Sequence, residues 1–546
     1  MQEESAGSEV LAPTVFVYDV TLRDGAQQQG INLSVADKIA ILPYIEAMGA
    51  SYIEGGWPGA IPRDTEFFEK LKDANPLTSA KLTAFGSTRK AGVTAQSDSQ
   101  LQALVDSQAP VLCLVAKSDI RHVEKALRTS PEENLAMVGD SCEYLRSCGR
   151  EVMIDAEHFF DGFRYDPEYS TAVVAQAFQS GASWVILCDT NGGSLPQHIS
   201  HIVKELRERL ETLGVTNPQL GIHCHDDGGC AVANTLAAVD AGCRQVQGTI
   251  NGYGERTGNA NLLTIIADLQ LKTDYEVVSA EQLAGLAAIG YAVGEITTIL
   301  PSARAPYVGA AAFAHKAGLH ASAIRVDPDL YQHIDPQLVG NDMRMLVSDM
   351  AGRASIELKA REFGLDLSED RAVLSEITQR VKQAEAEGYT YDAADASFEM
   401  LAREIISGKP LEYFSLESWS THDTTDHSDP TQTFAEATVK IHAGGRRLIR
   451  VGEGVGAVDA LDQALRRALR KVYPLLHEFE LVDYKVRILD TTLGTSAVTR
   501  VMITIRDVCG QWTTVGVGDD VIEASWEALT QGYVYGLFRN GVEPQM

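Results

Sequence analysis

The chain has 546 residues, of which 45% are hydrophobic and 22% are charged, and its formal net charge is −29 at pH 7. Its length predicts two or three domains. The negative charge argues against a nucleic-acid partner, because a phosphate backbone is bound by clustered Lys and Arg. No apolar run approaches the roughly 18 residues that a membrane helix needs, so we expect no membrane partner either.

The N-terminus and the cysteines indicate the compartment. The first residues, MQEESAGSEVLAP, are acidic and polar, unlike a signal or transit peptide. Eight cysteines are scattered along the chain without a C-x-x-C pair. Cys113, Cys188, Cys224 and Cys243 lie in apolar or strand-like contexts, which predicts reduced thiols. We therefore expect a cytoplasmic protein.

Short apolar runs alternate with amphipathic stretches along the first part of the chain. The runs predict strands over residues 15–23, 50–56, 81–87, 110–118, 151–159, 183–190, 219–226 and 245–252. The stretches between them predict helices, among them 35–48, 64–74, 134–148 and 231–241. Asn32 or Ser34 would cap the first helix, and Gly49 would end it.

This alternation predicts a (β/α)8 barrel, since eight strands over about 250 residues is the count for that fold. A doubly wound sheet is the rival fold. It usually shows fewer strands and a glycine-rich turn after the first strand, whereas here the first strand ends in LRDGAQ. The pattern favours the barrel.

Two histidines give the strongest chemical signal in the chain. His223 and His225 follow a predicted strand, where spacing i, i+2 puts both imidazoles on one face. Asp226 and Asp227 come next, and this combination predicts a divalent metal site. The alternative is that one or both histidines are ordinary polar core residues, which would be favoured for a lone histidine.

Other polar residues follow the predicted strands in the same way. Catalytic groups of such barrels lie at the C-terminal ends of strands. The side chains at these ends are Arg23, Asp24, Gln27, Glu54, Lys117, Asp155, Glu157, His158, Asp189, Thr190, Asn191, His223, His225, Asn251, Glu255, Arg256 and Asn259. For any single residue outside the motifs, a plain strand-end cap or salt bridge is the alternative.

Two other ligand patterns receive little support. The run GYGERTG contains G-x-G, but its third glycine is one place late for G-x-G-x-x-G, and it follows the last predicted strand instead of opening a dinucleotide-binding unit. A 2-His-1-carboxylate oxygenase is conceivable from the ligand types alone.

Several longer motifs resemble a known family. VTLRDGAQ, the H-x-H pair and GTINGYGERTGNANL are similar to the DRE-TIM metallolyase superfamily, and more narrowly to its 2-isopropylmalate, homocitrate and citramalate synthases. YIEGGWPG, AFGSTRK, and HKAGLHASA continuing to IDPQLVGN are most similar to the citramalate synthase branch. One departure is Asp226, because the family usually has Asn after H-x-H. It is expected to add negative charge beside the metal.

The resemblance implies a set of site residues. The metal ligands would be Asp24, His223, His225 and Asn259, and the ion Mn²⁺, Mg²⁺, Zn²⁺ or Co²⁺. Arg23, Asp24, Gln27 and Thr190 would bind the 2-oxo acid, with Arg23 at its carboxylate or carbonyl and Thr190 at its carboxylate. Glu157 and His320 would jointly abstract a proton, and Tyr331 would join them from beyond the barrel.

The implied reaction is the condensation of acetyl-CoA with pyruvate, followed by thioester hydrolysis, to give citramalate and CoA. Such a step needs a polarised ketone and a base near the acetyl methyl. A 2-isopropylmalate synthase acting on 2-oxoisovalerate is the first alternative. A metal-dependent carbon–carbon lyase and a binding protein without turnover are further ones.

Beyond the barrel, the sequence predicts two more domains. We expect the catalytic barrel over 1–273, a mainly helical linker subdomain that covers its mouth over 274–414, and a C-terminal α+β domain over 415–546. The stretch 415–433 is expected to be a linker or strand edge, and metal binding by its His422 and His427 is not expected.

The last domain carries an internal repeat. Residues 448–469 resemble residues 513–534: a strand, a V-G-x-G turn and an amphipathic helix. This module resembles the regulatory domain of 2-isopropylmalate synthases, which implies a homodimer and an end-product effector, isoleucine. The glycines of the two turns are expected to bring backbone close to that small zwitterion. The alternative is a dimerisation module without a ligand.

Overall fold

The computed structural model describes residues 13–348, 350–425, 433–489 and 497–545. The chain divides into two compact units. One unit runs to Phe313 and includes Ile334–Asp342, and the other takes Ala314–His333 and the chain from Met343 onward. The bounds of the three predicted domains stay predictions.

The first unit is built on a closed barrel of eight parallel strands, as predicted. Each strand pairs with the next in chain order, and the eighth pairs with the first. The strands are β1 (Phe16–Asp19), β2 (Tyr52–Gly56), β3 (Lys81–Ser87), β4 (Val111–Lys117), β5 (Glu151–Glu157), β6 (Trp184–Asp189), β7 (Leu220–Cys224) and β8 (Gln245–Gly248).

Several strands end earlier than the sequence predicts. β1 stops at Asp19, because the backbone N–H groups of Arg23 and Gly25 both turn back to the carbonyl of Val20. β7 stops at Cys224, and His225 forms only an isolated bridge with Asn259. The polar residues that extend these predicted strands therefore lie in loops at the barrel mouth.

Helices follow the strands around the first unit: α1 (Val35–Ala47), α2 (Pro62–Ala74), α3 (Ser99–Asp106), α4 (Ile120–His122), α5 (Pro131–Ser147), α6 (Phe159–Tyr165), α7 (Pro167–Gln179), α8 (Pro196–Thr212), α9 (Ala231–Ala241), α10 (Leu262–Lys272), α11 (Ala280–Ala284) and α12 (Leu286–Thr297). Ser34 caps α1, as predicted, in a capping box with Asp37. Helix and strand side chains together form one large apolar core around the barrel.

A buried ion pair anchors α1 to α2 and to the end of β2. Lys38 Nζ lies 2.5 Å from Asp64 Oδ1 and donates to the Gly55 carbonyl at 2.9 Å, and both charged side chains are buried. The second Asp64 oxygen accepts the Trp57 N–H at 2.8 Å. The pair thus fixes the backbone that continues from β2 into the barrel mouth.

Replacing Lys38 with Met is expected to lower the free energy of unfolding by about 3–5 kcal/mol, since Asp64 would be left buried without its counter-charge. Urea unfolding followed by circular dichroism measures the loss. Lys70→Met is the matched control, because its pair with Glu66 is exposed and such pairs contribute about 0–1 kcal/mol. Equal losses in the two variants would contradict this prediction.

The second unit contains the helices α13 (Gly318–Ile324), α14 (Arg353–Glu362), α15 (Arg371–Ala386), α16 (Asp395–Ser407), α17 (Ala457–Leu469) and α18 (Val521–Arg539). Its strands are β9 (Ala314–His315), β10 (Arg344–Met345), β11 (Ser415–Thr425), β12 (Thr433–Ala443), β13 (Arg446–Gly454), β14 (Glu480–Ile488), β15 (Thr499–Asp507) and β16 (Gly510–Gly518). β11 occupies the start of the predicted linker or strand edge. His422 is exposed on it, whereas His427 lies outside the described residues.

The internal repeat predicted from the sequence is present in the fold. β11, β12 and β13 form an antiparallel sheet covered by α17, and β14, β15 and β16 form a second one covered by α18. Both copies of the repeat share one apolar core, to which the inward faces of β12 and β15 contribute. Each copy is therefore three strands and a helix, and the two copies bury their apolar faces together.

The two V-G-x-G motifs were predicted as turns, but they are the last residues of strands β13 and β16, and their glycines have a different role from the predicted one. A Cβ on Gly452 would lie 2.3 Å from the backbone nitrogen of Ala464 in α17. A Cβ on Gly516 would lie 2.1 Å from the backbone oxygen of Ala524 in α18. The glycines thus allow each helix to pack directly on its strand. The space beside them is filled by helix backbone, so they do not bring backbone close to a ligand as predicted.

Two further observations concern the cysteines and the helices. All eight cysteines are free, and Cys113, Cys188, Cys224 and Cys243 are buried, as predicted. Among the described residues, none of the helices has the length and apolar character needed to cross a membrane.

Candidate active site

Asp24, His223 and His225 come together at the C-terminal mouth of the barrel. All three are buried, and one possible ligand atom from each lies within 4.8 Å of the other two. Asp24 Oδ2 is 3.7 Å from His223 Nε2, and the two imidazole centroids are 5.2 Å apart. The i, i+2 spacing therefore places both rings on one side, as the sequence predicts.

The charges of this cluster suit a cation. Burial raises the pKa of Asp24, but Arg23 and the two histidines outweigh it and lower that pKa to about 2. Burial, with His223 beside it, lowers the pKa of His225 to about 4. At neutral pH the site therefore offers a carboxylate and a neutral imidazole from His225, which are the protonation states of metal ligands.

Two polar atoms around the cluster are buried without a hydrogen-bond partner. These are Oδ1 of Asn259 and Nδ1 of His225. The Asn259 amide is oriented by its nitrogen, which donates to Asp24 Oδ1 at 3.2 Å and to the Tyr253 carbonyl at 3.1 Å. Unpaired buried groups are costly unless something satisfies them. These residues fit a divalent metal ion, and they include all four predicted ligands.

Arg23 lies beside the cluster in a fixed position. Its Nε donates to Glu54, its Nη1 lies 3.2 Å from Asp24 Oδ2, and its guanidinium stacks 3.9 Å from the Phe85 ring centroid. Glu54 is fully buried and also accepts the Tyr18 hydroxyl at 2.6 Å. These contacts hold the guanidinium next to the Asp24 carboxylate.

Glu157 and Thr190 lie at the ends of β5 and β6. Glu157 Oε2 forms an ion pair with Lys117 Nζ, from the end of β4. The Thr190 hydroxyl accepts the backbone N–H of His158 at 2.8 Å, so its own proton remains available to an acceptor. His158 holds a left-handed backbone conformation, with φ of 58°, while making this bond.

Other polar residues at the mouth have structural roles. Asp189 accepts two bonds from Ser194, Asn251 donates to the Gly290 carbonyl, and Arg256 pairs with Asp227. These contacts agree with the strand-end alternative.

Asp226 and Gln27 differ from what the family resemblance suggests. Asp226 Oδ1 accepts the backbone N–H of Ala231 at 2.9 Å, so this carboxylate caps the start of α9. Gln27 is exposed in the turn after β1, and it is the neighbouring Gln28 whose side chain accepts the Gly254 N–H.

His320 and Tyr331 belong to the second unit. Their rings stack with centroids 4.1 Å apart, and the His315 ring lies 6.1 Å from that of His320. Tyr331 is 40% exposed. The two predicted residues are thus neighbours of one another.

The barrel interior holds polar residues that the sequence reasoning left unassigned. Gln247 on β8 is fully buried and contacts His223, and its amide also reaches Asp155 on β5. Burial, with Glu54 nearby, raises the pKa of Asp155 to about 6. The sequence feature that could have indicated Gln247 is the run Q-V-Q in β8, where two glutamines at i, i+2 occupy one face of a buried strand.

Three known protein families match successive parts of this chain, and several known enzymes are similar to it over nearly its whole length. Residues 14–290 match the HMGL-like family, residues 307–388 the homocitrate synthase post-HMGL domain-like family, and residues 392–537 the LeuA allosteric (dimerisation) domain. The (R)-citramalate synthase of Streptomyces coelicolor is 56% identical over 98% of this chain and 98% of its own length. That of Synechocystis sp. is 46% identical over 96% of each. A probable 2-isopropylmalate synthase of Methanopyrus kandleri is 31% identical over 95% of this chain and 97% of its own.

The barrel thus defines a TIM-barrel enzyme of the HMGL-like class, and its Asp–His–His cluster could hold a divalent metal. The identity over nearly the whole chain narrows this class. The chain belongs to the (R)-citramalate synthase family.

Proposed function

We propose that this protein joins acetyl-CoA to pyruvate and hydrolyses the thioester of the adduct, giving (R)-citramalate and free CoA. The observation that carries the proposal is 56% identity, over 98% of both chains, to a protein named (R)-citramalate synthase. The cluster of Asp24, His223 and His225 beside a fixed arginine supports it. One water is consumed for each thioester cleaved.

Pyruvate would be held by groups that follow two strands, β1 and β6. The Arg23 guanidinium lies beside Asp24. Two hydrogen bonds hold it, from Nε to Glu54 and from Nη1 to Asp24. Its remaining nitrogen, Nη2, is therefore assigned to the substrate. The Thr190 hydroxyl, whose oxygen already accepts the His158 N–H, donates its proton to the substrate carboxylate. Gln27, which is exposed in the turn after β1, remains a proposed substrate contact on the family resemblance alone.

A divalent ion held by Asp24, His223, His225 and Asn259 would act as a Lewis acid that polarises the ketone of the 2-oxo acid. The oxygen and imidazole donor set suits Mn²⁺, Mg²⁺, Zn²⁺ or Co²⁺.

Proton abstraction from the acetyl methyl is assigned jointly to Glu157 and His320. Lys117 occupies Oε2 of Glu157, which leaves Oε1 as the atom that receives the proton. His320 stacks on Tyr331, so the tyrosine ring fixes the plane of the imidazole. The catalytic roles proposed for His320 and Tyr331 rest on the family resemblance of HKAGLHASA and the segment after it.

The substrate is tested by thiol release from acetyl-CoA across a panel of 2-oxo acids. We expect turnover with pyruvate well above that with 2-oxoisovalerate or 2-oxoglutarate, because a pocket fitted to a methyl group excludes a branched chain by steric clash. A preference for 2-oxoisovalerate would overturn this assignment in favour of a 2-isopropylmalate synthase. Thiol release with none of the acids, but cleavage of a carbon–carbon bond, would indicate a lyase.

We also propose that the protein is a homodimer and that isoleucine inhibits it through the C-terminal repeat. The match of residues 392–537 to the LeuA allosteric (dimerisation) domain supports both statements. Because Gly452 and Gly516 serve helix packing, the two V-G-x-G motifs are no longer the proposed contact with the effector. A coupling of about 1–3 kcal/mol between effector site and barrel would be enough for inhibition.

Titrating isoleucine into the thiol-release assay of the full chain is expected to lower turnover, whereas leucine and valine at equal concentrations should have weaker effects. Sedimentation of the same samples reports the oligomeric state. An enzyme indifferent to all three amino acids would leave the repeat as a dimerisation module without an effector. A monomer would contradict the dimer.

A further inference from the structure

His223 makes a hydrogen bond from the ring nitrogen that points into the barrel. Its Nδ1 lies 2.9 Å from Oε1 of Gln247, and both residues are buried. The two are register partners on adjacent strands β7 and β8. Its other nitrogen, Nε2, lies 3.7 Å from Asp24 Oδ2 in the candidate metal cluster.

A second pair of contacts sets the orientation of the Gln247 amide. Nε2 of Gln247 donates to Asp155 Oδ1 at 3.3 Å, and the Cys113 thiol donates to the same oxygen at 3.3 Å. Because this Asp155 oxygen acts as an acceptor, it takes the amide nitrogen and turns the amide oxygen toward His223. An amide oxygen can only accept a hydrogen bond. The His223 proton must therefore lie on Nδ1.

The bond to Gln247 matters because the neighbouring Asp24 carboxylate favours the other tautomer of His223, with the proton on Nε2. A neutral His223 with its proton on Nε2 would present an N–H toward Asp24, and it would then have no lone pair for a metal at that position. The Gln247 oxygen opposes this tautomer by accepting at Nδ1. Outer hydrogen bonds of this kind fix the tautomer and ring orientation of metal-binding histidines.

We propose that Gln247 is a positioning residue that keeps His223 in the Nδ1–H tautomer, with Asp155 and Cys113 orienting the Gln247 amide. The proposal deepens the metal site of the proposed function and rests on it. It concerns metal binding without substrate, so failure of the citramalate assignment would leave it standing.

Gln247→Met tests the proposal, and Gln245→Met is its matched control. Gln245 lies on the same strand and is equally buried, but its amide nitrogen only approaches Met153 Sδ at 3.8 Å and its oxygen has no partner. Mn²⁺ alone is titrated into the full-length metal-free proteins by calorimetry. We expect binding about 10–100-fold weaker in Gln247→Met and unchanged in Gln245→Met.

Equal weakening in both methionine variants, or undiminished binding in Gln247→Met, would overturn the proposal. So would an unmodified protein that does not bind Mn²⁺.

Nitrogen NMR of the metal-free protein with ¹⁵N-labelled histidine gives a readout that does not depend on the methionine variants folding. His223, assigned by its absence in His223→Asn, is expected as the Nδ1–H tautomer. An Nε2–H tautomer at His223 would overturn the proposal even if Gln247→Met failed to fold.

Discussion

Replacing His225 with Ala is expected to reduce thiol release from acetyl-CoA to background, and chelation of the metal should do the same to the unmodified protein. The reason is that His225 contributes an unpaired, buried Nδ1 and a neutral imidazole to the cluster with Asp24 and His223. The fold should survive, because His225 lies beyond the end of β7 and outside the apolar core of the barrel.

The stability of the variant separates a metal ligand from a core residue. A structural histidine would leave a destabilised protein when removed, whereas here the ring nitrogen has no partner to lose. We expect His225→Ala without metal to melt close to the unmodified metal-free protein. Metal at about 100 times its dissociation constant should stabilise the unmodified protein by about 2.7 kcal/mol and leave the variant unchanged.

His198→Ala is the control for this experiment, since His198 lies on the exposed side of α8 and should change neither property. Restoring the metal to the chelated protein should restore turnover. Full activity after chelation would show that the cluster of Asp24, His223 and His225 is not the metal centre of the reaction.

The barrel could be predicted because its signal is local and repeated. Each strand is a short apolar run, each helix an amphipathic one, and capping residues such as Ser34 lie next to the elements that they begin. The H-x-H pair was equally local: His223 lies on β7 and His225 follows directly after its last residue, so the i, i+2 spacing still puts the two rings close together. Asp24 and Asn259 were assigned by their motifs, and the fold explains why motifs 235 residues apart meet: β1 closes the barrel against β8.

The contacts around the site could not be predicted in this way. The bond of Gln247 to His223 depends on the register of β7 and β8, and its contact with Asp155 crosses the barrel interior. The sequence predicted Asp226 as a negative charge beside the metal, whereas in the structure its carboxylate accepts a backbone N–H at the start of α9. In the C-terminal repeat the sequence shows the glycines, but it does not show that a helix packs against them, because that contact is set by the tertiary fold.

Replacing Arg23 with Lys is expected to lower kcat/KM for pyruvate by about 10²–10³-fold, the loss typical of removing one preorganised electrostatic donor. The guanidinium bonds to Glu54 through Nε and to Asp24 through Nη1 while its plane stacks on Phe85. A lysine ammonium is a compact charge without this planar fork. It can reach either Glu54 or the substrate, but it cannot keep both contacts and the stacking.

The pattern of effects should distinguish substrate binding from a general disturbance of the site. Arg23 is not among the proposed metal ligands, so Arg23→Lys should bind Mn²⁺ nearly as well as the unmodified protein. Arg63→Lys is the control, because Arg63 is an exposed arginine whose Nη1 bonds to Asn32, and it should keep full kcat/KM. If Arg23→Lys kept the kcat/KM of the unmodified protein, the carboxylate or carbonyl of pyruvate would have to be bound elsewhere. Glu54, which is buried with Tyr18 and Arg23 as its partners, would then serve only to hold the barrel interior together.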